Sequence, residues 1–324
     1  MHALLGRILS APPEQLLFLA FSLLGTYCAI RAGIQFATAI WIVLLRPGKN
    51  LHRYGSWAVV TGASDGIGRA FCFQLAARGI NVVAVGRTES KLEELVRDIQ
   101  RIYSGVLVKF VVLDFASEKL EAGLKSIGEV VEGLEVGILV NNVGVSYPYA
   151  RYFHEVDGDL LERLVRVNVV ATTRMSQLLV PQMLKRRKGA IVNIGSGSGT
   201  ILPSDPLYAI YAATKGYIEI LSRSMYNEYR HCGIDVQCQV PLYVKTKMAK
   251  IRNTSLTVPS PEAYAKSALR SIGYEAVATP YWAHHLLWWL ISLVPERIVS
   301  AIRLSSNLDL RRRGQAKDAK AKAN

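Results

Sequence analysis

Residues 61–68 read Thr61-Gly62-Ala63-Ser64-Asp65-Gly66-Ile67-Gly68, and they follow the apolar run Trp57-Ala58-Val59-Val60. A short apolar run that ends in a glycine-rich turn and opens onto a helical pattern (70–77) is strand, turn and helix in sequence. Only in that context does a glycine fingerprint point to a nucleotide. Gly62 permits the tight turn, Gly66 lets backbone approach a pyrophosphate, and Gly68 lets helix pack close on strand. The helix start then offers unpaired N–H groups and a positive dipole end to phosphate. Ser64, Asp65 and Ile67 fill the same cradle. The spacing is Thr-Gly-x3-Gly-x-Gly rather than Gly-x-Gly-x-x-Gly, which narrows the kind of dinucleotide site.

Outward from that turn the chain alternates. Apolar runs at 81–85, 106–113, 136–140, 190–194 and 235–240 are separated by helical patterns at 90–102, 159–184 and 207–231. Buried apolar strands alternating with helices predict an α/β fold, a doubly wound parallel sheet covered on both faces. There is no internal repeat beyond that alternation. The second run ends at Gly86-Arg87. An acidic residue there would bind the adenosine ribose of NAD. Arg87 instead suits a 2′-phosphate, to which a guanidinium can make two charge-assisted hydrogen bonds, so the expected cofactor is NADP(H).

Downstream lies Tyr211-Ala212-Ala213-Thr214-Lys215. On a helix, Tyr211 and Lys215 share a face one turn apart. A phenol loses its proton near pH 10, and a neighbouring ammonium lowers that value. Such a tyrosine can give a proton to a carbonyl oxygen as hydride arrives. Ser198, thirteen residues earlier, is placed to hold the same oxygen. Tyr243 and Lys247 repeat the spacing, but they follow Pro241, lack a helical context and have Arg230 thirteen residues before them. That pair is set aside.

These residues resemble the short-chain dehydrogenase/reductase family over about residues 53 to 250. The glycine turn, Asn141-Asn142-Val143-Gly144 after the fourth strand, Asn168, Ser198 and Tyr211-x-x-x-Lys215 fall in the family's order, with Val143 where an alanine is usual. The resemblance implies a catalytic tetrad. Asn168 positions a water, Ser198 orients the carbonyl, Tyr211 is the general acid, and Lys215 lowers the tyrosine pKa and binds the nicotinamide ribose. It further implies cofactor contacts from Asp114 at the adenine, from Asn142 and Gly144, and from Val244 and Thr246 at the nicotinamide amide. The wording of 61–71, 141–148, 193–199, 240–248, 259–269 and 279–290 is similar to the membrane-bound very-long-chain 3-oxoacyl-CoA reductases and their relatives, the 17β-hydroxysteroid dehydrogenases of types 3 and 12. That branch implies NADPH-dependent reduction of a long-chain 3-oxoacyl-CoA in fatty-acid elongation, alongside a condensing enzyme, a dehydratase and an enoyl reductase. A steroid or other lipid ketone is the alternative substrate on the same scaffold. A catalytically silent interaction protein would show a broken tetrad, and all four members are present.

The 324 residues are 50% hydrophobic and carry a net charge of +14. A mean hydropathy of +0.20 excludes a disordered chain and directs attention to membrane segments. From 16 to 45 the chain is apolar apart from Arg31, Gln35 and Thr38. That predicts either a single tilted membrane helix with Arg31 snorkelling or a hairpin bent near Gly33. Arg46, Lys49 and Arg53 behind it, against Arg7 and Glu14 before it, predict that the bulk of the chain faces the cytosol. A second hydrophobic segment, rich in tryptophan (Trp282, Trp288, Trp289), either lies on the bilayer or packs over a substrate cleft. The stretch 311–324 holds six basic residues against one acid, and Lys320 and Lys322 resemble a dilysine retrieval signal of endoplasmic-reticulum membrane proteins. Four units follow: an anchor (1–50), the dinucleotide-binding domain (51–270), a membrane-associated segment (271–310) and a basic tail (311–324). Charge concentrated in a tail argues against nucleic acid. Cys28, Cys72, Cys232 and Cys238 form no Cys-x-x-Cys pair, and His284-His285 lacks ligand spacing, so neither a disulfide framework nor a metal is expected. Lys185 to Lys188 could draw CoA phosphates or simply end a helix. Chain length leaves room for a homo-oligomer.

Overall fold

The computed structural model describes residues 12–323. Arg7 and Asn324, which figure in the expectations above, lie outside the described residues. The chain divides into two units, one ending at Pro47 and one beginning at Gly48.

The first unit is a helix, α1 (Pro13–Ile40), continued by a π-helical turn over Trp41–Leu45. It runs unbroken through Arg31 and Gly33, so the hairpin does not form. None of its residues is buried. Twenty-eight residues rise about 42 Å, more than the roughly 30 Å of a hydrocarbon core. With a mean hydropathy of 1.6 in its most apolar stretch, the helix is long and apolar enough to cross a bilayer.

The second unit is built on seven strands: β1 (Trp57–Thr61), β2 (Asn81–Gly86), β3 (Val108–Val112), β4 (Val136–Asn141), β5 (Gly189–Ile194), β6 (Ile234–Gln239) and β7 (Val277–Ala278). All pair in parallel, in the order β3-β2-β1-β4-β5-β6-β7. The intervening helices are α2 (Gly66–Ala76), α3 (Glu89–Ile102), α4 (Leu120–Val131), α5 (Gly158–Val165), α6 (Ala171–Arg186), α7 (Gly197–Thr200), α8 (Ala209–Tyr229) and α9 (Pro261–Ser271). Two more close the chain, α10 (Trp282–Ser292) and α11 (Glu296–Ala323). The doubly wound parallel sheet is therefore as the alternation predicts.

Period-two burial makes the two cores. Ala58, Val60, Val82, Ala84 and Ile138 pack against Phe71, Leu75, Leu95 and Tyr264 of α2, α3 and α9. Val59, Val83, Val85 and Leu139 pack against Ile127, Met175 and Leu179 of α4 and α6. Three features depart from the sequence reading. The pattern read as one helix over 159–184 is α5 and α6 joined by a π-helical turn, Arg166–Val170. The two-residue strand β7 is too short to leave a periodic signal. The expected break between 310 and 311 falls inside α11, which is one continuous helix.

Leu95 is fully buried in the α2–α3 layer. Leu95→Ala should lose about 2–5 kcal/mol, seen as a thermal unfolding midpoint lowered by several degrees in detergent micelles; an unchanged midpoint would mean that this layer does not limit unfolding.

Candidate active site

The strand order reverses between β1 and β4, and at such a switch point the crevice beyond the strands' C-terminal ends takes the ligand. Here Asn142 stitches the crevice together. Its side-chain nitrogen donates to the carbonyls of Thr61 (3.0 Å) and Gly62 (3.3 Å). The Thr61 hydroxyl in turn accepts from the amides of Asn142 (3.0 Å) and Val143 (3.1 Å). Gly62 and Gly66 both take positive φ, 65° and 57°. A Cβ on Gly68 would stand 2.3 Å from the Gly62 carbonyl oxygen, so only glycine lets α2 start this close to β1. Asp65 caps α2 by accepting from the Gly66 amide at 2.8 Å. The next amides open off the helix end, as they do at any helix start. Burial alone would raise the Asp65 carboxyl, but hydrogen bonds from Lys247 and the Gly66 amide hold it below the ordinary carboxylate range.

Arg87 is exposed at the end of β2, and the Ser64 hydroxyl lies against neighbouring Gly86. Lys91 stands 3.8 Å from Asp65 on the same side. Asp114 follows β3 and accepts from the Ala116 amide at 2.9 Å. From the far side, Thr246 packs against Gly66, Val244 is buried, and Lys247 pairs with Asp65 at 2.8 Å. Lys247 was set aside as half of a repeated spacing; the structure brings it to the glycine turn, though not as a partner of a reactive tyrosine. A glycine turn at a helix start, with glycine at positive φ and Arg87, Lys91 and Lys247 around it, fits a phosphorylated dinucleotide.

The tetrad members converge with one exception. Asn168 sits in the π-helical turn and is buried. Its Oδ1 accepts from the Val145 amide (2.8 Å), and its Nδ2 donates to the Val145 carbonyl (2.9 Å) and the Thr214 hydroxyl (3.0 Å). Lys215 is buried on α8 and donates to the Ile194 carbonyl at 2.9 Å. Burial pushes its pKa down to about 8. A Cβ on Gly144 would lie 3.4 Å from Asn168 Oδ1 and 3.5 Å from Lys215 Nζ, so Gly144 leaves the space those two groups share. The Tyr211 phenol is raised above its ordinary value, chiefly by burial; a hydrogen bond with Ser196 opposes this, and the charge of Asp205 adds to it.

A serine other than the expected Ser198 acts on the tyrosine here. The hydroxyl beside Tyr211 belongs to Ser196, the N-cap of α7, whose Oγ also accepts from the Ser198 amide at 3.2 Å. Counting back thirteen residues lands on Ser198 because the spacing ignores the loop's shape. The chain inserts the turn of α7 between β5 and α8, and Ser198 lies within that turn. Two serines in Asn193-Ile194-Gly195-Ser196-Gly197-Ser198 gave the sequence no means of choosing.

A second group was invisible in the sequence. Helix α11 presents Ser300, Arg303, Asn307, Arg311 and Gly314, one stripe of a helix, to the two loops that wall the crevice. Arg303 donates to the buried Asp205 carboxylate (2.7 Å) and to the Tyr243 hydroxyl (3.3 Å). Asn307 donates to Asp205 (2.9 Å) and to the Pro206 carbonyl (2.7 Å). Arg311 forks onto Glu155 and stacks on Tyr152. The Tyr211 loop and the 147–157 loop are thus strapped by the end of the chain. Part of the last hydrophobic segment therefore packs over the cleft, while Trp282, Leu286, Trp289, Leu293, Ile298 and Ile302 stay exposed. His284 is buried and neutral-tending: burial lowers its pKa, its Nδ1 accepts from the Leu242 amide, and its Nε2 donates to the carbonyls of Tyr243 and Thr257. It braces the 242–257 loop. Residues 185–188 are not brought to the crevice; they close α6 at the opposite edge of the sheet.

The chain belongs to the short-chain dehydrogenase family, whose profile matches residues 56–256. It is 53% identical over 274 residues, 83% of this chain and 86% of the relative, to a very-long-chain 3-oxoacyl-CoA reductase-like protein of Arabidopsis thaliana. Against the very-long-chain 3-oxoacyl-CoA reductase of Homo sapiens it is 39% identical over 289 residues, 88% of this chain and 90% of the relative. Among solved structures, a short-chain dehydrogenase from Sphingobium yanoikuyae in complex with NADPH superposes with a TM-score of 0.61 at 31% identity, covering 69% of this chain and 87% of that one.

Arg303→Met strands the Asp205 carboxylate without its counter-ion, a loss of about 3–5 kcal/mol for a broken buried pair. Under native conditions trypsin should then cut at Arg311, Arg312 and Arg313 while the sheet stays folded by circular dichroism, and Arg303→Lys should be cut less; equal cutting of all three proteins would show that the pair does not hold α11 down.

Proposed function

We propose that this chain is the NADPH-dependent reductase that converts a very-long-chain 3-oxoacyl-CoA to the 3-hydroxyacyl-CoA. The observation that carries the reading is the meeting of Asn168 and Lys215 across Gly144, beside a glycine turn held to β4 by Asn142 and on the helix that carries Tyr211. Full-length relatives bearing that name in plant and animal lineages support the substrate class. When bound, NADPH supplies the hydride.

The residues of the chain do the rest. Arg87, with Ser64 and Lys91, gives a 2′-phosphate two cations and a hydroxyl. Gly62, Ser64, Asp65, Gly66, Ile67 and Gly68 shape the pyrophosphate cradle, Asp114 and Asn142 line the adenine half, and Gly144, Val244 and Thr246 line the nicotinamide half. Lys215, anchored on the Ile194 carbonyl, keeps further N–H groups that would hold the nicotinamide ribose. Tyr211 keeps its proton at neutral pH as a phenol ordinarily does, and burial shifts it further the same way; that is the form a general acid needs when a carbonyl oxygen gains charge. Ser196 donates to that same oxygen. The Asn168 side chain is committed to Val145 and Thr214, so any water it positions is held by its backbone carbonyl in the π-helical turn, where such turns often serve function.

A substrate with a very long acyl chain partitions into lipid, which gives α1 its purpose as an anchor and the exposed Trp282–Leu293 face a place at the interface. In this reading the protein is an endoplasmic-reticulum membrane protein with the second unit in the cytosol, working beside the other elongation enzymes, and Lys320 and Lys322 serve as the dilysine-like signal.

Protein solubilised in detergent should oxidise NADPH on addition of a long-chain 3-oxoacyl-CoA and much less with a 17-ketosteroid. A preference for the steroid would keep the fold and chemistry but reject the substrate. Within the site, Ser196→Ala should lower kcat by about 10²–10³, the usual loss for one donor to a developing oxyanion, whereas Ser198→Ala should leave kcat nearly unchanged; the reverse ranking would return the role to Ser198. Arg87→Asp should move the NADPH/NADH preference toward NADH by at least about tenfold, as expected when a charge-assisted pair worth about 1.5–3 kcal/mol is replaced by repulsion. An unaltered ratio would remove Arg87 from the cofactor site.

A further inference from the structure

The basic run 185–188, idle at the active site, builds something else. At the N-terminal edge of the sheet a cavity of about 660 Å³ is lined by Lys49, Arg53, Tyr54, Arg187, Lys188 and Gly233, with Asn50 at its rim. Four of these are cations. Among the described residues no carboxylate pairs with Arg53, Arg187 or Lys188. Asp235 is the acid nearby, and it is already held by the Tyr54 hydroxyl at 2.5 Å and by Lys49 at 3.8 Å. Four cations gathered around one acid that Tyr54 and Lys49 already hold repel one another and destabilise the fold, so the arrangement calls for an anion.

The cavity is also rigidly made. Arg187 ends α6 in the left-handed conformation, φ 52° and ψ 34°, a position that ordinarily takes glycine. A Cβ on Gly233 would stand 2.1 Å from the Arg187 carbonyl oxygen, so two tight turns abut with no room between them. The Arg187 guanidinium is steadied by donating to the His231 carbonyl at 3.0 Å. A cationic side chain kept where glycine would cost less strain marks a site where the charge is wanted.

Covalent geometry says which anion. Lys49 lies four residues after Leu45, the last residue of the apolar helix and its π-turn. At about 3.5 Å per residue the chain can span no more than roughly 14 Å between them. Whatever the orientation of α1, Lys49 cannot leave the neighbourhood of the point where that helix ends. We infer that this cavity holds the phosphate headgroup of an anionic glycerophospholipid in the leaflet from which the second unit emerges. The inference rests on α1 crossing the membrane. CoA is the poorer candidate, because the strands set the cavity at the opposite end of the sheet from Tyr211, about 20 Å away along six residues.

The full chain is reconstituted in phosphatidylcholine vesicles with and without phosphatidic acid. Flotation with neutral vesicles reports the anchor by itself, and failure to float would reject the membrane reading rather than the cavity. Amide hydrogen exchange over 49–54 and 186–190 reports the cavity, and it should slow when phosphatidic acid is present. The variant Arg187→Gly with Lys188→Gln removes two cations while placing glycine where the backbone favours it, so folding is retained. Each basic group near an anionic surface contributes about 1 kcal/mol, so the phosphatidic acid fraction needed for half-maximal protection should rise on the order of 25-fold in the variant. Equal protection in variant and wild type, or no response to phosphatidic acid, overturns the inference. So does equal protection from millimolar inorganic phosphate on neutral vesicles, which would make this a free-anion site, or displacement of the lipid effect by CoA, which would return it to the substrate.

Discussion

Everything at the crevice depends on the hydrogen bonds by which Asn142 holds the end of β4 to the end of β1. Parallel strands that diverge at a switch point would otherwise leave backbone groups of Thr61, Gly62, Asn142 and Val143 unpaired where water is partly excluded. The Asn142 amide and the Thr61 hydroxyl satisfy them, and buried polar groups are costly when left unmade. The glycine turn is thereby fixed against the segment after β4 that carries Gly144. One layer deeper, Asn141 donates to Asn193 (2.8 Å) and Ser176 (3.1 Å), and Asn193 donates to Ser222 (2.9 Å). This line of amides crosses from β4 through β5 to α6 and α8, so the cofactor end and the Tyr211 helix share one polar frame.

The second frame is the strap. Asp205 collects Arg303 and Asn307, and Arg303 reaches on to Tyr243. The loop that leads into Tyr211 and the loop that carries Val244 and Thr246 are tied to the same guanidinium. The charge of Asp205 adds to the burial that raises the Tyr211 phenol, so its ion pair with Arg303 stands beside the proposed acid. The helix from the end of the chain thus walls the cleft and places a charge pair next to it.

Much of this was legible in the residues. Glycines at 62, 66 and 68 have one backbone use each, and strands buried on both faces declare themselves as unbroken apolar runs. Tyr211 and Lys215 were readable because a helix fixes their separation. Ser196 was not, because no period governs the loop between β5 and α8, and a count of thirteen landed in the inserted turn of α7. Asp205, Arg303 and Asn307 were silent for another reason: a lone aspartate in a loop and an arginine on a helix gain meaning only when folding brings them together. The two-residue β7 and the π-helical turn at Asn168 lie below the resolution of any hydropathy pattern. The repeated Tyr-x-x-x-Lys spacing at 243–247 lies off any helix, yet both residues reach the site, Lys247 at Asp65 and Tyr243 at Arg303.

The strap has a consequence for how the protein is made. Asp205 finds Arg303 and Asn307 at sequence separations of 98 and 102 residues. A chain synthesised from its N-terminus presents α1 first and completes all seven strands while those partners are still to come. Throughout that interval the carboxylate beside Tyr211 has no counter-ion, and the cleft lacks one wall. The nascent protein can therefore possess its whole sheet and glycine turn and yet remain an unfinished enzyme. A chain cut before Arg303 would keep every residue of the sheet and the glycine turn but lack the partners of Asp205, so α11 is the element that closes this side of the cleft.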